Sequence, residues 1–416
     1  MKVFLQPALN DANVDATQTN SQRQLAISMS AIAQEEFDRN VPLNLCLILD
    51  HSGSMNGRPL ETVKKAANRL VDKLSPEDRL SVVVFDHRAK VLVSNQIIDN
   101  PDRIKQQINK LSVGGGTAID EGLRLGIEEL AKGKKETISQ AFLLTDGENE
   151  HGDNNRCLKF ADLAASYNLT LNTLGFGDHW NQDILEQIAD VGSGTLSYIQ
   201  QPDQAVEQFS RLFQRMQAVG LTNAYLLLSV MPKVRLAELK PIAQVAPDTI
   251  ELPIQQEADG RFAVRLGDLM KDVQRVVLAN LYIGQLSEGR QKIATVQVRY
   301  DDPYSNESGL LSEVIPVEAN FVRVYQPAIN PQVQPYILAL GKYRQTQMAE
   351  TKLQQGDRAG AATMLQTAAK TALQMGDKGA ATVLQTSATR LQAGEQLSEA
   401  DRKKTRIVSK TRLQED

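Results

Sequence analysis

Cysteine and histidine are scarce in this 416-residue chain, which has two of the first and four of the second. Cys46 sits in an apolar run and Cys157 in a polar stretch, outside any CxxC spacing, so neither a disulfide framework nor a cysteine-based zinc site is expected. No HExxH pair occurs, which removes the usual signature of a zinc hydrolase. No GxxxxGKS or GxxxxGKT loop occurs either, so the chain is not itself a nucleotide-driven motor. Long apolar runs are missing as well, and nothing approaches the ~20 residues needed to cross a bilayer. The start, MKVFLQPALNDANVD, lacks the basic, apolar and small-residue regions of a secretory leader, and the expectation is a cytoplasmic protein without a transmembrane segment. A formal net charge of −4 gives no electrostatic reason to expect a nucleic-acid partner.

What is present is an ordinary globular composition, 42% hydrophobic and 23% charged, on a chain long enough for two or three domains. From 41 to 220 short β-rich runs alternate with segments of helical period, the pattern of a doubly wound, mainly parallel sheet. Strands are expected at Leu43–Leu49, Leu80–Phe85, Ala141–Thr145, Leu169–Phe176 and Thr195–Ile199. Helices are expected near Leu60–Leu74, Pro101–Leu111, Ala118–Leu130, Arg156–Tyr167, Gln182–Val191 and Asp203–Val219. From 221 to 327 the period becomes alternation, as in an antiparallel β-sandwich. Residues 1–40 also read as strands and are expected to join that sandwich, which makes the α/β domain an insertion. From 328 to 416 the chain is helical and contains a short duplication, GDRAGAATMLQT from Gly356 and GDKGAATVLQT from Gly376. Each copy reads as a helix capped by its Asp, together a hairpin that leans on a neighbour, because two units are too few to stand alone. The basic residues Arg402, Lys403, Lys404, Arg406, Lys410 and Arg412 read first as a solvated helix face, with docking to an acidic surface as the alternative.

The chemistry concentrates at the end of the first strand, where Asp50, Ser52 and Ser54 occupy alternate positions in DHSGSMNG. An acid and two hydroxyls at that spacing can turn toward one point, and hard oxygens suit Mg²⁺, Mn²⁺ or Ca²⁺. Two more candidates stand on other loops: Thr117 in VGGGTAIDEGL, where three glycines free the backbone for a tight turn, and Asp146 in TDGEN after the strand AFLLT. All three loops leave the carboxyl ends of parallel strands, where open α/β sheets bind ligands.

This set resembles the DxSxS-based metal-ion-dependent adhesion site of the von Willebrand factor type A domain, shared with the integrin I domains, over residues of about 41–219. The resemblance implies one divalent cation, Mg²⁺ first with Mn²⁺ or Ca²⁺ as alternatives, held by Asp50, Ser52, Ser54, Thr117 and Asp146. It also implies a coordination position left for a Glu or Asp of a protein partner. His51, Gly116 and Glu148 are then the partner-facing rim, while Trp180 is either an exposed anchor or packing at the sheet edge. An enzyme is not expected: a nucleophile elbow needs Gly two residues before its Ser, whereas Ser54 has Ser52 there and Ser52 has Asp50. The expected function is that of a metal-dependent adaptor, self-associating or not. The alternative is a non-catalytic subunit of a chelatase-type or MoxR-like ATPase complex.

Overall fold

The computed structural model describes residues 1–33, 41–271 and 273–410. The chain opens with β1 (Lys2–Leu9), β2 (Asn13–Asp15) and β3 (Asn20–Ile32). The α/β portion follows as β4 (Leu43–Asp50), α1 (Arg58–Val71), β5 (Arg79–Phe85), β6 (Ala89–Ile97), α2 (Pro101–Asn109), α3 (Ile119–Lys132), β7 (Ile138–Thr145), α4 (Asn154–Ser166), β8 (Thr170–Phe176), α5 (Gln182–Val191), β9 (Ser193–Ile199) and α6 (Ala205–Gln217). Its sheet has the order β6-β5-β4-β7-β8-β9, with only β6 antiparallel. The central strands β4 and β7 are buried along their whole length, because helices cover both faces, and this is why LNLCLIL and ISQAFLLT show no alternation. The edge strand β6 went unpredicted. It is half exposed, and what creates it is a tight reversal in which Asp86 N donates to Arg88 O (2.9 Å) and Arg88 N to Asp86 Oδ1 (2.8 Å).

The next strands are β10 (Val219–Val230), β11 (Val234–Leu236), β12 (Ile242–Ala246), β13 (Ile250–Glu251), β14 (Gln255–Gln256), β15 (Phe262–Met270), β16 (Arg275–Gly284), β17 (Gly289–Asp302), β18 (Glu307–Leu311) and β19 (Ile315–Val322). They form two sheets, and residues 1–32 enter both: β1 and β3 extend the sheet of β16, β12 and β13, whereas β2 runs parallel to β19 in the other. The longest of these pairings sets Asn20–Met29 against Arg275–Gly284, so segments on either side of the α/β portion share one core around Leu25, Ile27, Leu226, Val264, Val277 and Val296. The helix expected to reach Val219 stops at Gln217 because Val219 already pairs with Met270 in the sandwich. The α/β unit is keyed to the sandwich through β15. Half-buried Asp268 accepts from Gln140 Nε2 and Thr170 Oγ1, both at 2.9 Å, and Gly267 (φ 77°) lets the strand pass where a Cβ would lie 2.4 Å from Ser193 Cβ.

Four helices end the described chain: α7 (Gln334–Gln354), α8 (Arg358–Gln374), α9 (Lys378–Gln392) and α10 (Glu399–Lys410). The duplicated Gly-Asp pairs mark helix-to-helix joints. Gly356 and Gly376 take the left-handed backbone that ends one helix (φ 81° and 79°), and Asp357 and Asp377 cap the next by accepting from Gly360 N and Ala380 N. Helices α8 and α9 are therefore the middle of a four-helix unit rather than a lone hairpin. Helix α7 seals it to the sandwich, placing Leu340 and Tyr343 on Ala26, Val276 and Leu278.

The basic segment departs from the first expectation. Rather than facing solvent, α10 lies on an acidic face of the α/β unit: Arg406 pairs with Asp183 and Glu186, and Lys410 with Glu186 (2.7 Å) and Asp190 (3.0 Å). Acids one and two turns apart on α5 match bases at the same spacing on α10, a complementarity between segments some 220 residues apart that no local pattern reveals. Arg412 lies outside the described residues.

Candidate metal centre

Strand β4 ends by delivering Asp50 to the carboxyl edge of the sheet, where Asp50 Oδ1 accepts from Ser52 N (2.8 Å) and turns the backbone. That turn aims both serine hydroxyls the same way, with Ser52 Oγ 3.0 Å from Ser54 Oγ. Ser54 Oγ in turn donates to Asp146 Oδ1 at 2.6 Å across 92 residues of sequence. Thr117 joins from the third loop: its hydroxyl oxygen lies 3.2 Å from where a Cβ on Gly147 would stand, against the residue that follows Asp146. The loops are tied together by backbone bonds, Gly53 N to Gly115 O (2.9 Å), Gly114 N to His51 O (2.7 Å) and His151 N to Thr117 O (2.9 Å). All five candidate side chains thus converge on one small region.

The electrostatics of that region are unbalanced. Asp50 is fully buried, and burial pushes its carboxyl up to about 6, against the opposing hydrogen bonds from Thr145 and Ser52, with the negative charge of Asp146 pushing further upward. Burial also raises Asp146, which Ser54 and the nearby His179 pull back. Among the described residues neither carboxylate is in an ion pair with Lys or Arg. Nor is there among them a cluster of three or more His, Cys, Asp or Glu placed to hold a metal, so a cation here has to be held by hydroxyls as well as carboxylates. Two uncompensated carboxylates and three hydroxyls, all hard oxygens, fit a divalent cation of the Mg²⁺ or Ca²⁺ kind.

Several surroundings differ from expectation. His51 is not a rim residue: its side chain is buried, and Nδ1 contacts Ser112 O at 2.9 Å, bracing the glycine loop from beneath. Glu148 is exposed at the edge, and Gly116 lies half-buried in the loop. None of the three glycines has the positive φ that a strained turn would require. They serve close approach instead: a Cβ on Gly114 would fall 2.1 Å from Asp86 Oδ2, on Gly115 2.7 Å from His87 Nδ1, and on Gly116 2.1 Å from the His151 ring. Gly114→Ala, whose Cβ would also fall 2.9 Å from Asp86 Cβ in a side chain held by Arg88 N and Gly115 N, is accordingly expected to displace the loop that carries Thr117. Mg²⁺ binding measured by calorimetry should weaken while the far-ultraviolet circular dichroism keeps the wild-type shape, and unchanged affinity would contradict the packing argument.

Trp180 is packing, not an exposed anchor. It is 2% exposed, rests on Tyr198 with ring centroids 5.8 Å apart, and donates from Nε1 to Gly177 O at 2.7 Å. Sequence reasoning also missed Thr145, whose Oγ1 donates to Asp50 Oδ2 at 2.5 Å, and Asn149, whose Oδ1 accepts from Ile119 N at 2.7 Å. Their positions beside Asp146 in the run TDGEN were the available signal.

A six-stranded sheet with one antiparallel edge, helices on both faces and an oxygen cluster at its carboxyl end define the von Willebrand factor type A fold, and that domain's family model matches residues 44–212. A second model, the Sll0103-like C-terminal alpha-helical domain, matches residues 331–415. The chain belongs to the family of the Synechocystis sp. protein sll0103, to which it is 59% identical over 414 residues, covering 100% of this chain and 98% of that one. Among solved structures, a von Willebrand factor type A protein from Catenulispora acidiphila superposes with a TM-score of 0.82 at 18% identity, over 99% of this chain and 97% of that chain. The ArnB paralog VWA2 from Sulfolobus acidocaldarius does so with a TM-score of 0.56 at 17% identity, over 99% and 98%. At those identities the likeness is one of fold.

Proposed function

We propose that the protein is a non-catalytic, metal-dependent interaction protein, in which Asp50, Ser52, Ser54, Thr117 and Asp146 hold one divalent cation, Mg²⁺ in the first instance, that captures a Glu or Asp side chain of a protein partner. The observation that carries this reading is the contact of Ser52, Ser54 and Asp146 oxygens beside a buried Asp50 that, among the described residues, has no Lys or Arg paired with it. When bound, the cation supplies a positive centre that turns two mutually repelling acidic surfaces into an attractive pair. Five protein oxygens fall short of a six-coordinate shell, which leaves a position for the ligand. The non-catalytic part rests on the serines: Ser52 and Ser54 bond to each other and to Asp146, while the nearest imidazole in sequence, His51, is occupied with Ser112 O.

The reading places the protein in the cytoplasm, in keeping with two free, buried cysteines. Among the described residues no helix is long and apolar enough to cross a membrane. Affinity capture with wild-type and Asp50→Ala baits, each in Mg²⁺ or in EDTA, tests the function. A partner recovered only by wild type in Mg²⁺ is expected, equal recovery in all four conditions would refute metal-dependent capture, and an ATPase as the partner would mark the protein as that complex's subunit.

A further inference from the structure

The helix α10 does more than close the C-terminal unit. Its Val408 joins the core of Leu365 and Leu384, whereas Ile407 lies at the seam with Glu186, Asp190 and Leu196, and its basic residues serve the α/β unit. Lys403, Arg406 and Lys410 stand at intervals of three and four, one face of the helix. Arg406 and Lys410 grip α5 as described, and Glu186, at 4% side-chain exposure, receives both. Lys403 reaches past α5 to the Gly177–Asn181 loop that follows β8. There its Nζ donates to Asp178 O and lies 4.4 Å from the centroid of the Trp180 ring. This loop leaves β8 beside the loop that carries Asp146, because Thr145 and Gly175 pair in the adjacent parallel strands β7 and β8. His179 on it is an electrostatic neighbour of Asp146, and Lys403 is one of Glu148, the exposed acid two residues beyond Asp146.

We propose that α10 is a releasable latch on the metal face: docked through Lys403, Arg406 and Lys410, it holds the Gly177–Asn181 loop in the arrangement that favours cation binding at Asp146, so that latch docking and metal occupancy are coupled. This rests on the metal-site reading above. The contact with the α/β unit is mostly polar: ion pairs, the Lys403 bond to Asp178 O and one cation–π stack, with Ile407 beside α5 as its apolar part, and the solvent-facing pair Arg406–Asp183 is the one that salt or a competing charged segment weakens. A loop freed by undocking has to be ordered again when the site is filled, which lowers affinity. By linkage, whatever factor docking contributes to metal affinity, metal contributes to docking.

The lone tryptophan of the chain lies under the latch and reports its state. In the full chain, Arg406→Glu sets a negative charge against Asp183, Glu186 and Glu350, and the Trp180 emission is expected to move to longer wavelength as the helix lifts. Calorimetric titration with Mg²⁺ alone should show affinity several-fold weaker than wild type. Lys403→Met is the second variant: Arg406 and Lys410 keep the helix in place, yet the loop loses its tie, and the same weakening is expected, with Lys403→Arg restoring it. Wild-type affinity in both variants, or an unmoved Trp180 emission in Arg406→Glu, would overturn the latch while leaving the metal centre standing. Failure of the wild type itself to bind Mg²⁺ would overturn both.

Discussion

Asp146→Ala is expected to abolish the rise in melting temperature that Mg²⁺ gives the wild type, without lowering the stability of the metal-free protein. A ligand that binds only the folded state stabilises it by about 2.7 kcal/mol at a hundredfold excess over Kd. For a unit the size of the α/β domain that corresponds to roughly 5 to 10 °C. In the metal-free protein Asp146 contributes little: its bond to Ser54 is set against its own burial and the like charge of Asp50. The asymmetry separates a metal ligand from a structural acid, since a residue that only braced the loop would cost stability in both conditions. Thermal scans of both proteins in EDTA and in millimolar Mg²⁺ measure it. A variant that kept the metal-dependent rise, or a wild type that showed none, would remove Asp146 from the site.

Much of this candidate site was legible in the sequence because the residues proposed to hold the cation obey local rules. An acid at a strand end and hydroxyls at alternate positions of the next turn have to cluster, whatever the rest of the fold does. The supporting contacts were less legible. His51 reads as a projecting rim residue from its place in DHSGS, and only the return of the 112–118 loop beneath it shows that its ring is buried against Ser112 O. The three glycines read as turn-formers, whereas what they accommodate, Asp86, His87 and His151, arrives from two other segments. At the level of fold, period 2 and period 3.6 separated sandwich from α/β unit. The missing strand β6 is the one whose half-exposed pattern, AKVLVSNQI, lies at the sheet edge, where burial no longer imposes a clear period.

Long-range charge pairing was the least legible feature, and the basic helix shows why. A run of Lys and Arg on an isolated helix is most economically solvated, and only the coincidence of Asp183, Glu186 and Asp190 on a second helix at matching spacing makes burial favourable. Neither helix carries that information alone. The same reasoning links fold to function: the sandwich fixes the α/β unit from below through Asp268, and α10 fixes it from the side beside the metal loops. Both contacts leave the carboxyl edge of the sheet uncovered at Asp146 and Glu148, as the proposed capture of an acidic side chain requires.

Acidification is expected to weaken metal binding steeply below pH 6, and to do so with a sign opposite to its effect on the metal-free protein. Asp50 is raised by burial from 3.8 to about 6 in the folded state. Without metal the folded state therefore holds this proton more tightly than the unfolded chain does. Its contribution to stability is complete below pH 3.8 and is lost as the pH rises through 6, a change on the order of 3 kcal/mol. A cation binds only the ionised carboxylate, so it must displace that proton wherever the pH is below the folded value. Affinity should fall about tenfold for each pH unit below 6 and level off above it, and the upward shift of Asp146 steepens the fall. Calorimetric titrations with Mg²⁺ at pH 5, 6 and 7.5, run in buffers of different ionisation enthalpy, measure both the affinity and the proton released. In Asp50→Asn the proton release should drop to the part that Asp146 contributes, along with the loss of most of the affinity. Tight, pH-independent Mg²⁺ binding by the wild type would place the cation away from Asp50.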